Sequence, residues 1–179
     1  MLPDYLAPGL SVVFVGTAAG ELSAARGHYY SGRGNKFWEL LWEAGLTEDR
    51  ILIPEQDERV LSYGVGLTDV AKAVAASTDT KLRAGHYDVP GFLAKIERYE
   101  PGCVAFNGKT AAGVVAKHLG WPKPDHGPTN FDVAGVPGYV LPSSSGSNND
   151  PRRFAPKPTK VAWWQEFGEW LKRSERSET

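Results

Sequence analysis

The sequence is poor in the residues that build disulfide frameworks and metal centres. It holds one cysteine, Cys103, and four histidines in 179 residues, and none of them falls in a CxxC or HExxH pattern. A disulfide within one chain is therefore impossible, and no metal site has the usual ligand spacing, so we expect no metal. Cys103 lies in the apolar run CVAFNG, where we expect it to pack as a small hydrophobic residue rather than to react.

Long apolar runs and an excess of basic charge are also missing. No segment approaches the roughly 20 apolar residues of a membrane helix, and the N-terminus MLPDYLAPGLSVVFVG has neither a basic region nor a cleavage-site pattern. The formal net charge of −1 argues against non-specific coating of nucleic acid, which needs many Lys and Arg contacts to phosphate. We expect a soluble, cytoplasmic single domain over residues 1–179 with no membrane contact, and a polar, frayed tail from about residue 174.

What the sequence does contain is an alternation of strand-like and helix-like segments. Short, β-branched apolar runs predict buried strands at LSVVFVG (10–16), CVAFNG (103–108) and YVLPSS (139–144). Helical spacing of apolar residues predicts helices over 35–45, 88–100, 109–120 and 159–173. This order is typical of a three-layer α/β/α fold with a central, mainly parallel sheet.

One segment departs from that alternation. FDVAGVPGYVLP, residues 131–142, predicts a hairpin that turns at Gly-Val-Pro-Gly and feeds the last strand. Its outer strand is expected to run antiparallel at an edge of the sheet.

Ligands of such sheets bind in the loops that leave the carboxyl ends of the strands. Three segments fit that position: 16–34, 64–72 and 141–150. The first begins GTAAG, which matches neither GxGxxG nor a P-loop, so a nucleotide cofactor is not expected. Its backbone amides could instead stabilise an anion or hydrogen-bond a planar heterocycle.

Two of these loops allow a structural or a functional interpretation. Tyr29 and Tyr30 stand among glycines, so one ring could form a stacking platform for a base, or both could cover the edge of the core. The loop SSSGS lacks the G-x-S-x-G elbow of a serine hydrolase. Beside Arg152 and Arg153 it could contact phosphates through its backbone, or it could be an inert turn.

The middle segment, GVGLTDVAK, contains the one carboxylate that we single out. Asp69 follows an apolar, glycine-containing stretch at the point where the chain should leave the interior. Thr68 or Asp69 could cap a following helical turn VAKAVA, which is the commoner use of such residues. The alternative is a functional carboxylate at the mouth of a pocket.

Together the three loops resemble those of the uracil-DNA glycosylase superfamily, and specifically its mismatch-specific uracil-DNA glycosylase and thymine-DNA glycosylase branch. GTAAG is similar to the first motif, G-I-N-P-G, and ELSAARGHYYSGRGNKFW is similar to its continuation, which ends in N-R-F-W. SSSG, after the lead V-L-P, is similar to the last motif, N-P-S-G, and ERYEPGCVAFNGKTAA resembles the helix and strand between them. The resemblance covers most of the chain.

The resemblance implies an enzyme that flips uracil out of DNA and removes it without a metal or an organic cofactor. Other damaged or mismatched bases stay open as substrates, and we expect a monomer. It implies that Tyr30 stacks on the base and that the Thr17 amide faces the carbonyl on which charge develops. The base would lie among Gly16, Thr17, Ala18, Asn35 and Ser143, and Ser145, Gly146, Ser147, Arg152 and Arg153 would contact the DNA.

The sequence departs from the family pattern at its catalytic position. Ala18 stands where the first motif has the asparagine that positions water, and Ser144 and Ser147 replace the proline and the wedge residue of the last motif. We expect Asp69 to act as the catalytic group instead, because a carboxylate can orient water and stabilise a sugar cation. Two alternatives remain: a damaged-DNA-binding protein without turnover, and an N-glycosidase that acts on free nucleosides or nucleotides.

Overall fold

The structure is a computed structural model, which describes residues 1–72 and 83–177. In this part of the chain, five strands form one sheet in the order β2-β1-β3-β5-β4. They are β1 (Val12–Gly16), β2 (Val65–Asp69), β3 (Val104–Asn107), β4 (Gly127–Val133) and β5 (Val136–Leu141). Only β4 runs antiparallel, at the edge. The predicted α/β fold with a mainly parallel sheet is confirmed.

Helices cover both faces of this sheet. The described α-helices are α1 (Glu21–Arg26), α2 (Phe37–Glu43), α3 (Val89–Tyr99), α4 (Lys109–His118) and α5 (Lys160–Ser177). Short 3-10 helices span Pro54–Tyr63, Ala84–His86 and Pro151–Phe154. Within the described ranges, no helix is both long and apolar enough to cross a membrane.

The alternation of side chains along β1 divides the core into two halves. Phe14 points to one face, where its ring stacks on Trp164 of α5 with centroids 5.6 Å apart, and it also meets Phe37 of α2 edge-on. Val13 and Val15 point to the other face, in the same cluster as α3 and α4 residues. Successive strand residues face opposite sides, so a strand with five consecutive buried residues has to be covered on both. Cys103 packs in the first half, as predicted, and is 1% exposed.

The predicted hairpin is confirmed, but its turn is shorter and begins one residue earlier than predicted. The chain reverses at Ala134 and Gly135, which both have positive φ, 50° and 86°. Residues 136–138 of the predicted Gly-Val-Pro-Gly turn belong to β5. A two-residue turn with positive φ at both positions matches the twist of antiparallel strands, and it pairs Val133 with Val136 next to the turn.

Two elements were not expected from the sequence. Strand β2 was not predicted because Gly66, a residue with little strand propensity, lies within it. Glycine is required there by close packing, since a Cβ would lie 2.8 Å from both Tyr5 O and a Leu10 methyl. Helix α1 lies within the segment assigned to a long loop. The tail predicted to fray from about residue 174 continues α5 as far as Ser177.

Candidate active site

The carboxyl ends of the four parallel strands meet at one edge of the sheet, where the following loops line a cavity of about 640 Å³. Pairing along the sheet places Gly16 beside Asp69 and Asn107 beside Leu141. The three loops selected from the sequence therefore converge. The predicted site residues that line the cavity are Gly16, Thr17, Ala18, Tyr30, Asn35, Asp69, Ser143, Ser145, Gly146, Ser147 and Arg153.

Asp69 is the last residue of β2 and is buried, with 5% of its surface exposed. A Cβ built on Gly16 would lie 2.9 Å from Asp69 Oδ1 and 3.5 Å from the Tyr30 hydroxyl, so these two side chains meet over the bare backbone of Gly16. Burial raises the pKa of Asp69, although the charge of Lys72 opposes that rise. Asp69 ends a strand, and the helical turn that it could cap extends into residues 73–75, outside the described residues.

Lys72 was not singled out from the sequence, yet it links Asp69 to the N-terminal segment. Its Nζ lies 3.5 Å from Asp69 Oδ2 and 3.1 Å from Asp4 Oδ1. Asp4 also accepts a hydrogen bond from Thr68 Oγ1 at 2.7 Å and pairs with Lys95 Nζ at 2.6 Å. Burial alone would raise the pKa of Asp4, but the Lys95 and Thr68 hydrogen bonds and the charge of Lys72 bring it below its ordinary value. We call Asp4, Asp69, Lys72 and Lys95 the charged cluster.

The adjacent tyrosines have different environments. Tyr29 is 2% exposed, and its hydroxyl donates to Pro3 O at 2.8 Å. Tyr30 is half-buried with φ of 51°, and its ring stacks on Phe37 with centroids 4.0 Å apart and planes 24° apart. Both tyrosines border the cavity. Tyr29 thus matches the expectation of a core-covering ring, whereas Tyr30 has one covered face at the cavity wall.

The Tyr30 hydroxyl is buried, and no hydrogen bond of ordinary geometry reaches it from the described residues. Burial and the charge of Asp69 raise the pKa of this hydroxyl, and the nearby Asn107 amide lowers it by a smaller amount. Tyr30 is therefore neutral and carries a polar atom directed at the Asp69 side of the cavity.

Hydrogen bonds join the first loop to the last. Ser144 Oγ donates to Asn35 Oδ1 at 2.9 Å and accepts from Asn107 Nδ2 at 2.9 Å, while Ser144 N donates to Asn107 Oδ1 at 2.9 Å. Asn35 Oδ1 also accepts from Phe37 N at the start of α2. A Cβ on Gly146 would lie 2.8 Å from Gly34 O, so the two loops are in backbone contact. We call Asn35, Asn107, Ser144 and Gly146 the neutral seam.

The two arginines predicted to contact DNA lie in different settings. Arg153 borders the cavity, whereas Arg152 is outside its lining and binds Asp150 through its guanidinium, with Nη2 2.7 Å from Oδ2. Both are exposed, so a contact with a large ligand is sterically open to either. Lys160 Nζ donates to Ser145 O at 3.2 Å and so holds the loop that contains Ser143–Ser147.

Other residues in or near the site lay outside the sequence prediction. Asn107 is a polar residue at the end of a predicted strand, a signal that could have identified it, whereas nothing in the sequence connects Asp4 with Lys72. His126 also borders the cavity. Burial and the charge of Lys109 lower the pKa of His126 to about 4, so its ring is neutral at physiological pH. Among residues 1–72 and 83–177, no cluster of three or more His, Cys, Asp or Glu could hold a metal ion.

Comparison with known proteins gives the family and a structural neighbour. The model of the uracil DNA glycosylase superfamily matches residues 3–168. The chain is also similar to the solution NMR structure of a "putative Uracil DNA glycosylase" from Methanosarcina acetivorans, with a TM-score of 0.64 and 23% identity over 96% of each chain. That likeness shows a shared fold, and the family match spans nearly the whole sequence, cavity loops included. This chain belongs to the uracil DNA glycosylase superfamily.

Proposed function

We propose that this protein is a DNA N-glycosylase that extrudes uracil from DNA and releases it by hydrolysis, leaving an abasic site, with Asp69 as the catalytic group. Membership of the superfamily supports action on DNA. The loop motifs favour the mismatch-specific and thymine-DNA glycosylase branch, and with it a monomer that uses no cofactor.

The observation that carries the proposal is the position of Asp69. It is a buried carboxylate at the cavity wall, beside Gly16 of the first motif and the Tyr30 hydroxyl. Ala18 lines the same cavity and offers only a methyl group where the motif has asparagine. A buried carboxylate with a raised pKa next to a binding loop is typical of a catalytic acid or base.

The chemistry requires a group of this kind. When the bond between C1′ and the base nitrogen breaks, its electron pair stays with uracil and the sugar becomes an oxocarbenium ion. The ionised Asp69 would stabilise that cation and accept a proton from the water whose oxygen adds to C1′. The departing base is an anion, which the amide of Thr17 would stabilise.

Binding of the base and of the strand would use Tyr30, next to Asp69, and the loop at the rim of the cavity. Phe37 covers one face of Tyr30, so a base would stack on the second face. The rim of the cavity is formed by the loop residues Ser145, Gly146 and Ser147, and Arg153 adds a positive charge there. These are contacts of the kind that DNA phosphates accept.

The decisive experiment measures uracil release under single-turnover conditions from oligonucleotides with one uracil, opposite guanine, opposite adenine and in single strands. Asp69→Asn should lower the rate by about 10²- to 10⁴-fold, because the amide cannot accept the water proton. Glu21→Gln is the matched control: Glu21 also lines the cavity but is exposed, and its variant should retain activity.

Each result has a defined meaning. Equal activity of Asp69→Asn and wild type would refute the Asp69 assignment and leave the glycosylase proposal in place. Binding of uracil-containing DNA with no release would favour a damage-binding protein, for which Ala18 is the supporting observation. Preference for a free nucleoside over an oligonucleotide would favour a nucleoside N-glycosidase.

A further inference from the structure

The charged cluster joins the proposed catalytic carboxylate to a segment far away in sequence. Lys72 Nζ lies between two carboxylates, 3.5 Å from Asp69 Oδ2 and 3.1 Å from Asp4 Oδ1. The Lys72 side chain is only 16% exposed, so this pairing takes place largely out of water. It also contacts the hydroxyl and the ring face of Tyr29, which hold the ammonium in position.

We propose that Lys72 is a positioning residue for the reaction: its ammonium, shared between Asp69 and Asp4, holds the Asp69 carboxylate at the cavity wall in the charged form that catalysis needs. This inference rests on the proposed role of Asp69. Without a cation, a carboxylate as buried as Asp69 would take up a proton, because desolvation disfavours the charge.

Asp4 has the opposite effect. Its carboxylate competes for the same ammonium and adds a second negative charge near Asp69, and this charge raises the pKa of Asp69. Asp4 is itself held by Thr68 and Lys95, so it cannot turn away from Lys72 without losing two further hydrogen bonds. Asp4 therefore weakens the electrostatic stabilisation that Lys72 gives to the charged form of Asp69.

Among the described residues, three charged groups have the leading effects on the charge of Asp69. Lys72 and Lys95 favour its charged form, and Asp4 disfavours it. Tyr29 and Tyr30 contribute no charge, because burial raises the pKa of both hydroxyls. Removal of Lys72 and removal of Asp4 should thus move the titration of Asp69 in opposite directions, which a merely structural role would not do.

The test is the pH dependence of single-turnover uracil release for wild type, Lys72→Met, Lys72→Arg and Asp4→Asn. Activity should fall at acid pH as Asp69 is protonated. Lys72→Met should move this acid limb to higher pH by about 1 unit or more, as for loss of an opposite charge within 4 Å. Lys72→Arg keeps the cation and should restore the wild-type limb, and Asp4→Asn should move it to lower pH. Lys117→Met, an exposed lysine on α4, is the control and should match wild type.

A second readout does not depend on activity. The carboxyl ¹³C signal of Asp69, assigned by its loss in Asp69→Asn, should titrate at higher pH in Lys72→Met and at lower pH in Asp4→Asn. The same titration midpoint in all three proteins would overturn the role of Lys72, even if Asp69→Asn is inactive. A shifted midpoint in a protein that releases no base would support the Lys72 inference and count against the proposed function alone. If Lys72→Met does not fold, the Asp4→Asn shift decides.

Discussion

The two sides of the cavity are built from different chemistry. The charged cluster brings together four ionisable side chains from the N-terminal segment, the end of β2 and α3, and burial disfavours the charged form of its central carboxylate, Asp69. Around Ser144, amides and hydroxyls form hydrogen bonds near 2.9 Å without any formal charge. The charged cluster surrounds Asp69, whose charged form is disfavoured by burial, whereas the neutral seam holds two loops together.

The two sides therefore differ in role: the charged cluster suits a chemical step, and the neutral seam suits the positioning of a ligand. A neutral hydrogen-bonded network in a buried place adds stability when every member has a partner. A buried carboxylate costs stability unless cations compensate it, and such a cost is common where activity requires a reactive group. The charged cluster therefore fits the proposed chemistry, and the neutral seam fits the positioning of the base and the strand.

Among the substitutions that separate the two sides, the largest effect is expected where the charged cluster meets the first motif. In Gly16→Ala the new methyl would lie 2.9 Å from Asp69 Oδ1, so the carboxylate has to move. We expect uracil release to fall by about 100-fold, as for displacement of a catalytic group by 1 Å. Single-turnover rates measure this.

Gly20→Ala provides the matched control in the same loop. Its methyl would meet only Ser23 Oγ, at 4.0 Å, and the rate should stay near that of wild type. A Gly16→Ala enzyme with wild-type rate would show that the position of Asp69 does not limit the reaction.

A smaller effect is expected at the neutral seam. In Gly146→Ala the methyl would meet Gly34 O at 2.8 Å, which is backbone and cannot rotate away. The two loops must separate, at a cost of about 1–3 kcal/mol in the free energy of unfolding. Chemical denaturation should detect this loss, together with weaker binding of uracil-containing DNA.

Gly85→Ala is the control for that change, because its methyl would meet no heavy atom of the described residues within 4 Å. If Gly146→Ala unfolds at the same denaturant concentration as wild type, the contact between the two loops adds nothing to stability.

The smallest effect expected is a gain, rather than a loss, in the stability of Asp69→Asn. The pKa of Asp69 is raised above its value of 3.8 in the unfolded chain, so the native state binds the proton more tightly. Stability contributed by that proton is present at low pH and is lost as the pH rises through the native pKa. Asp69→Asn removes this loss and should stabilise the protein at pH 7–8 by about 1 kcal/mol.

Thermal unfolding of both proteins over a range of pH tests this prediction. The advantage of Asp69→Asn should shrink as the pH falls toward 3.8. A variant that is less stable than wild type at pH 8 would show that the pairing with Lys72 outweighs the burial of the carboxylate.

The sequence by itself determined the fold class, the edge of the sheet at which the site lies and most of its lining. Short β-branched runs alternate with amphipathic helices, and parallel strands bring their carboxyl ends together, so local patterns are sufficient for these conclusions. Within each motif of the first and last loops the residues are close together in the chain, and each motif follows a strand.

Only the tertiary structure decided which groups meet. Strand β2 packs closely against Tyr5 and Leu10, which leaves room only for glycine at position 66. Lys72 pairs with Asp4, which is 68 residues away in sequence. Ser144 links Asn35 to Asn107. Each contact joins residues distant in sequence through side-chain packing, and no local propensity encodes such a pair. Burial has the same origin, and because burial acts on the pKa of Asp69, the protonation of this carboxylate is a property of the folded chain.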